Sequence, residues 1–131
     1  DRLCAHVQRT GYATPAEVSA ALLAVDICAF PYRNGASLRH GTLHAALAHG
    51  NAIVTTTPQT PTPQLQDGKN VILIPPEDAT ALAAALRRLW MESPLRAGIG
   101  QQAAQLSCEF SWERIATRTA EFFRTVRGRI S

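Results

Sequence analysis

The stretch DICAFPYRNGASLRHGTLHAALAHGNAIVTT, residues 26–56, decides the fold. Its two ends, residues 26–30 and 52–56, are short apolar runs that favour β structure, and each predicts a strand buried on both faces. The residues between them predict a helix that Thr42 caps and Gly50 ends. Two buried strands joined through a helix are typical of a parallel βαβ unit in a doubly wound sheet.

The same alternation continues on both sides of this unit. Upstream, residues 7–11 predict a short, weak strand, and Thr14-Pro15-Ala16-Glu17 has the pattern of a capped helix start. Downstream, residues 71–74 predict a further strand, residues 77–90 a helix, Ser93-Pro94 the start of another, and Ser111 the cap of the last. We therefore expect one α/β domain over residues 1–131: a Rossmann-like parallel sheet of four strands with flanking and C-terminal helices, without its opening strands. The last helix is expected to turn these residues inward: Trp112, Ile115, Thr119, Phe122 or Phe123, and Val126.

The composition is that of a globular chain, with 46% hydrophobic and 18% charged residues. A formal net charge of +3 is too small to indicate a nucleic-acid partner. The three cysteines, Cys4, Cys28 and Cys108, contain no CxxC pair, so neither a disulfide framework nor a zinc site is indicated. We expect buried thiols in a reducing, cytoplasmic compartment.

Arginines accumulate in the predicted last helix: Arg114, Arg118, Arg124 and Arg127. They are interpreted as a solvated face. Peripheral contact with a membrane stays open as an alternative, but it is disfavoured here because the aromatic residues of the same helix are assigned to the core.

The loop at residues 32–41 is the candidate ligand site. In parallel sheets, ligands bind beyond the carboxyl ends of the strands, where helices begin. Glycines that let backbone amides approach a ligand, hydroxyls, arginines and a positive helix end together suit a phosphate or diphosphate. The candidate binding residues are Gly35, Ala36, Ser37, Arg39, Gly41 and Thr42, with Arg33, His40 and Thr56 as further candidates. From these residues alone, an ordinary surface loop with solvated arginines is an equal alternative.

Catalytic and metal-binding patterns are weak in this sequence. His40 and His44 are four residues apart, as metal ligands on a helix often are, but no third ligand accompanies them. We therefore expect no metal and no cofactor. No Ser/His/Asp arrangement and no carboxylate pair indicates a catalytic residue.

Several segments in the same order resemble the C-terminal half of the group 1 (family 4) glycosyltransferases of GT-B fold. They are Thr10-Gly11-Tyr12, Ala24 to Pro31, Ala46 to Thr55, Asp67-Gly68-Lys69-Asn70, Pro75-Pro76 and Phe110-Ser111-Trp112. The resemblance covers about residues 8–125.

This resemblance implies the donor-binding half of a retaining glycosyltransferase that uses a nucleotide sugar and requires no metal. The acceptor would bind an N-terminal domain upstream of Asp1, so the present chain alone is expected to be inactive. The helix start at Gly41-Thr42, the amides near Gly35–Ser37 and the Arg39 guanidinium would stabilise the leaving diphosphate.

The chain departs from the usual pattern of that family at its paired glutamates. Ser37 and Ala45 occupy those two positions, and Pro63-Gln64 stands where the family has Pro-Glu. The loop is closer to a subgroup with Asn/Asp-Gly-x-Ser-x-Arg-x-Gly-Thr. The alternative hypothesis is a non-catalytic binding module that keeps this fold; a dinucleotide-binding domain is disfavoured because no GxGxxG follows a strand.

A further expectation concerns the strand at residues 26–30. In the usual strand order it pairs with a first strand that this sequence lacks, which leaves an open apolar edge. Open edges pair readily with other chains, so we expect self-association.

Overall fold

The computed structural model describes residues 2–130 and contains a three-stranded parallel sheet and five α-helices. The helices are α1 (Pro15–Ala24), α2 (Gly41–Ala48), α3 (Ala79–Met91), α4 (Ser93–Cys108) and α5 (Trp112–Ile130). The strands are β1 (Ile27–Phe30), β2 (Ala52–Thr56) and β3 (Ile72–Ile74), in the spatial order β1-β2-β3. The predicted Rossmann-like α/β architecture is confirmed.

Strand β2 divides the interior into two apolar cores. All five of its residues are buried, and alternate side chains of a strand point to opposite faces. Ile53 packs in a cluster with Leu43 and Leu47 of α2, whereas Val54 packs in a second cluster with Leu89 of α3. Helices α2 and α3 therefore cover opposite faces of the sheet.

Helix α4 contributes to both cores. Its residue Ile99 belongs to the cluster around α3, and Ala103 belongs to the cluster around α2. Between them, Gly100 lies so close to the turn after α2 that a Cβ at this position would overlap the carbonyl oxygen of Gly50. The absence of a side chain at Gly100 is what lets α4 pack this closely.

Helix α1 begins with the capping box that the sequence predicts. The Thr14 hydroxyl accepts from the Glu17 amide at 3.3 Å, and the Glu17 carboxylate accepts from the Thr14 amide at 2.7 Å. The hydrogen bond from the Thr14 backbone amide, and secondarily the Thr14 side chain, lower the pKa of the Glu17 carboxyl from its usual 4.5. The local pattern therefore fixes this end of α1.

The N-terminal part of the sequence prediction is wrong. Residues 7–11 form no strand, and a 3₁₀ turn at Cys4–His6 precedes them. The sheet thus has three strands within residues 2–130 instead of the predicted four. Residues 7–11 are exposed and pair with none of the strands that the structure describes.

The predicted burial of the cysteines is confirmed for one residue only. Cys28 lies in the core on β1, where burial raises the pKa of its thiol. Cys4 and Cys108 are exposed. Cys28 is buried because its side chain packs in the core cluster that also contains Leu43 and Leu47.

Two helix starts differ from the prediction. Helix α2 begins at Gly41, so His40 is its N-cap residue and Thr42 lies inside the first turn. Helix α3 begins at Ala79 instead of residue 77, because the Asp78 carboxylate accepts from the Ala81 amide and so acts as the cap. The preceding residue, Glu77, has a φ of 57°, which lies outside the right-handed helical region, so α3 cannot extend back to it.

The prediction that one face of α5 packs into the core is wrong. Trp112 is 82% exposed, and Phe122 and Phe123 are each 64% exposed. The apolar stripe exists as predicted, but no helix or strand of the described chain covers it. The aromatic side chains are thus not core residues, so the reason for disfavouring membrane contact does not hold.

The helices between residues 2 and 130 differ from membrane-spanning helices. None of the helices in this part of the chain combines the length and the apolar character that crossing a bilayer requires.

Strand β1 lies at the edge of the sheet, as predicted. Among the described strands it pairs with β2 alone. A groove of about 710 Å³ runs along its other side, lined by β1 residues such as Ala29, by α1 and by residues 8–13. The outer backbone groups of β1 are therefore available to another extended chain.

Candidate functional site

The Arg39 loop, defined here as residues 31–40, connects the end of β1 to the start of α2. It lies against the exit of β2: the Ala36 amide donates to the Thr56 carbonyl at 3.1 Å. Gly35 has a φ of 77°, and a Cβ there would stand 2.5 Å from the Thr57 carbonyl oxygen. The loop is therefore held at the carboxyl end of the sheet, where the sequence places the ligand site.

The amides predicted to face a ligand already have partners inside the protein. The Gly35 amide donates to the Tyr32 carbonyl at 3.2 Å, and the Ser37 amide donates to His40 Nδ1 at 3.2 Å. Together with the Ala36 bond, they occupy all three amides from Gly35 to Ser37. These hydrogen bonds fix the shape of the loop, and ligand contact by the three amides stays a prediction.

The candidate hydroxyls also form hydrogen bonds with groups of the loop itself. Thr56 is fully buried, and its hydroxyl donates to the Tyr32 carbonyl at 2.8 Å. The Thr42 hydroxyl is 2.6 Å from the Tyr32 hydroxyl, and the Ser37 hydroxyl accepts from the Arg39 amide at 3.2 Å. The three hydroxyls therefore brace the loop.

The start of α2 has amides that remain available. The amides of Gly41 and Thr42 lie in the first turn, where a helix offers no internal acceptor. No side chain of the described residues caps this end, and both residues are exposed. Apart from its chain neighbours and the backbone of α2, no atom of the described residues lies within 4 Å of where a Cβ on Gly41 would stand. The helix dipole adds a partial positive charge here, so this end suits an anion.

The two arginines of the loop differ in their surroundings. Arg33 forms an ion pair with Glu77, with Nε and Nη2 each 2.9 Å from Oε1. The Arg39 guanidinium is exposed and, within the described part of the chain, makes no ion pair and no hydrogen bond. Arg39 is therefore the cation of this loop that an incoming anion meets without first breaking a contact.

The two histidines that have metal-ligand spacing are hydrogen-bonded to the backbone. His40 Nδ1 accepts from the Ser37 amide, and His44 Nε2 donates to the Leu38 carbonyl. Across residues 2–130, no group of three or more His, Cys, Asp and Glu side chains is arranged to hold a metal ion.

Two residues of the site were missed in the sequence. Tyr32 links the loop to α2 through Thr42 and stacks on His40 with ring centroids 3.8 Å apart. Glu77 reaches Arg33 from a position 44 residues away in the sequence. Neither contact has a periodic or local signal, and only the βαβ topology brings these residues together.

The fold and the site together define a class of protein. A parallel sheet with helices on both faces is the architecture of α/β domains whose ligands bind beyond the carboxyl ends of the strands. Residues 2–92 match the sequence model of the family described as "Glycosyl transferases group 1". The chain belongs to this family.

Relatives with known names or structures agree with this family. A phosphatidyl-myo-inositol mannosyltransferase from Mycolicibacterium smegmatis is 28% identical over 126 residues, which cover 96% of this chain and 32% of the relative. A sucrose-phosphate synthase from Thermosynechococcus elongatus has a TM-score of 0.80 at 20% identity, covering 97% of this chain and 32% of the other. HepE from Anabaena, solved in complex with UDP, has a TM-score of 0.73 at 18% identity, covering 84% and 30%. The chain therefore spans about a third of the length of these relatives.

Proposed function

We propose that this chain is the donor-binding half of a retaining glycosyltransferase and holds the diphosphate of a nucleotide sugar at the start of α2. The single observation that carries the proposal is the pairing of uncapped amides at Gly41 and Thr42 with the unpaired guanidinium of Arg39. Membership of the group 1 family and the UDP complex of a relative of similar fold support it.

The proposed chemistry requires charge stabilisation more than proton transfer. When the bond between sugar and diphosphate breaks, negative charge grows on the leaving phosphate oxygens. Amides, a helix dipole and a guanidinium aimed at these oxygens stabilise that charge most where it develops. An arginine adds charge-assisted hydrogen bonds, and the proposed mechanism requires no metal and no further cofactor.

The acceptor belongs to a different part of the proposed enzyme. We propose that it binds an N-terminal domain, so that transfer takes place in a cleft of which this chain forms one wall. The 131 residues alone are then expected to bind the donor without transferring its sugar.

The first test measures the affinity of the chain for UDP, GDP and ADP by calorimetric titration. We expect at least one of the three to bind. Replacing Arg39 by alanine should weaken that binding about tenfold, equivalent to about 1.4 kcal/mol, because one charge-assisted contact to phosphate is lost. Arg87→Ala, which removes an exposed arginine of α3, is the matched control and should bind like the wild type.

Two outcomes would contradict the proposal. Equal affinities of wild type and Arg39→Ala would remove Arg39 from the site. Absence of binding for all three nucleotides would favour the second candidate, a non-catalytic module with this fold. That alternative is supported by Ser37 and Ala45, which stand where the resemblance places paired glutamates.

A further inference from the structure

We propose that His40 is a positioning residue, which holds Arg39 and the first turn of α2 in the orientation that the phosphate contacts require. The inference rests on the proposed function, because it concerns how the same site is kept in shape. It differs from the sequence prediction, in which His40 is a candidate for direct contact with the ligand.

His40 closes the turn that presents Arg39. The Ser37 amide donates to His40 Nδ1 at 3.2 Å, and the His40 amide donates to the Ser37 carbonyl at 3.0 Å. Residues 38 and 39 form the middle of this turn. The backbone position from which the Arg39 side chain extends is thus set by two bonds between Ser37 and His40.

The bond from Ser37 also fixes the protonation pattern of His40. An atom that accepts from an N–H carries no proton, so the neutral ring has its proton on Nε2. A protonated imidazolium has N–H groups at both nitrogens and would point one of them at the Ser37 amide. The turn therefore requires the neutral Nε2–H form.

Two neighbouring side chains hold the ring and the turn. The His40 ring stacks on Tyr32 at 3.8 Å between centroids, and the Tyr32 hydroxyl is hydrogen-bonded to Thr42 in the first turn of α2. His44 of α2 donates to the Leu38 carbonyl in the middle of the turn. His40 is itself the N-cap residue of α2, so its position decides both where Arg39 stands and where the helix amides begin.

The test separates the acceptor nitrogen from the ring. In His40→Asn, the Oδ1 atom stands near the former Nδ1 position and can accept from the Ser37 amide, but the stacking is lost. In His40→Phe, the ring is kept over Tyr32 and the acceptor is lost. His6→Phe, at an exposed histidine outside the site, is the control for the substitution itself.

The affinity of each variant is measured for whichever of UDP, GDP and ADP binds the wild type most tightly. We expect His40→Asn to stay within about threefold of the wild type and His40→Phe to bind at least about tenfold more weakly, a loss of about 1.4 kcal/mol. Equal binding by His40→Phe and wild type, or equal weakening in both variants, would overturn the inference.

A second measurement needs no ligand, so it keeps this inference separate from the proposed function. Amide hydrogen exchange at Ser37 and Arg39 should accelerate about tenfold or more in His40→Phe and stay near the wild-type rate in His40→Asn. Two-bond ¹⁵N–¹H spectra of the wild type should show the His40 proton on Nε2. If no nucleotide binds but the exchange follows this pattern, the proposed function fails and the positioning by His40 stands. Unchanged exchange in His40→Phe, or a proton on Nδ1, would refute the positioning.

Discussion

Gly35 shows how a single residue places the candidate site. Its φ of 77° lies in the left-handed region, and the carbonyl of Thr57 and the amide of Gln59 occupy the space where a side chain would begin. The Arg39 loop can approach the exit of β2 only with a glycine at this position. The Ala36–Thr56 hydrogen bond of 3.1 Å depends on the same approach.

Gly35→Ala is expected to destabilise the fold by at least about 2 kcal/mol, because backbone strain and overlap with Thr57 act together. The measurement is the urea midpoint at unchanged m-value. Gly98→Ala in α4 is the matched control. Outside its own helix backbone and chain neighbours, a Cβ at Gly98 meets no atom of the described residues within 4 Å, so we expect stabilisation by about 0.5–1 kcal/mol. A similar destabilisation in both variants would show that the close contact with Thr57 is not the cause of the stability loss in Gly35→Ala.

At the residue scale, the sequence predicted the site only in part. The position of the loop and the candidacy of Arg39 follow from a buried strand that leads into a helix. The use of the amides from Gly35 to Ser37 inside the loop could not be predicted, because their acceptors are set by tertiary contact or by a side-chain rotamer. The same holds for the hydrogen bond from the Thr56 hydroxyl to the Tyr32 carbonyl, because the two residues are 24 positions apart in the sequence.

Helix α1 is the element for which local sequence was sufficient. The hydrogen bonds of its capping box connect residues three positions apart, so the box needs no tertiary information. Helix α2 shows the opposite case. Thr42 is a good cap by residue type, but Tyr32 engages its hydroxyl, and the helix begins earlier at Gly41.

Acidification should remove the contribution of Glu17 to stability. Because the pKa of Glu17 is below 4.5 in the folded protein, its carboxylate stabilises the fold above about pH 4.5, and that stabilisation is lost as the pH falls through the folded-state value. We expect the Tm of Glu17→Gln to lie below that of the wild type at pH 7 and the difference to shrink toward pH 3. A difference that is constant or grows on acidification would contradict this assignment.

Helix α5 shows that the spacing of apolar residues predicts which side chains share a face but does not predict whether that face is buried. The sequence pattern identified which side chains share a face, and the structure agrees that the face is apolar. A pattern within one helix contains no information about what covers that face. No element of the described chain covers this face, so aromatic residues such as Trp112 stay in contact with solvent.

At the scale of the whole molecule, the sheet was predicted correctly in type and wrongly in strand number. Strands β1, β2 and β3 were recognisable because each is an apolar run. The prediction of burial on both faces holds for β2, whereas in the edge strand β1 only Cys28 is buried. Residues 7–11 lacked such a run, and their exposure in the structure is consistent with that weakness. The edge position of β1 followed from the expected order of strands.

The open side of β1 leads us to predict self-association of the chain. Light scattering should show an average mass that rises toward that of a dimer with increasing concentration, because an unpaired strand edge beside an apolar groove favours pairing. Ala29→Lys places a charge on this edge and should shift the mass toward the monomer. Ala84→Lys adds the same charge to an exposed position of α3 and should behave like the wild type.

A monomer at every concentration would contradict this prediction. If Ala29→Lys associates as strongly as the wild type and Phe122→Glu does not, the contact lies on α5 instead of the sheet edge.

The contact between Gly100 and Gly50 couples the stability of the apolar cores on the two faces of the sheet. A methyl group at Gly100 would displace helix α4, which contributes residues to both apolar cores, and would therefore weaken the packing of both. Partial melting confined to one side is therefore disfavoured, and denaturation is expected to proceed as a single cooperative transition.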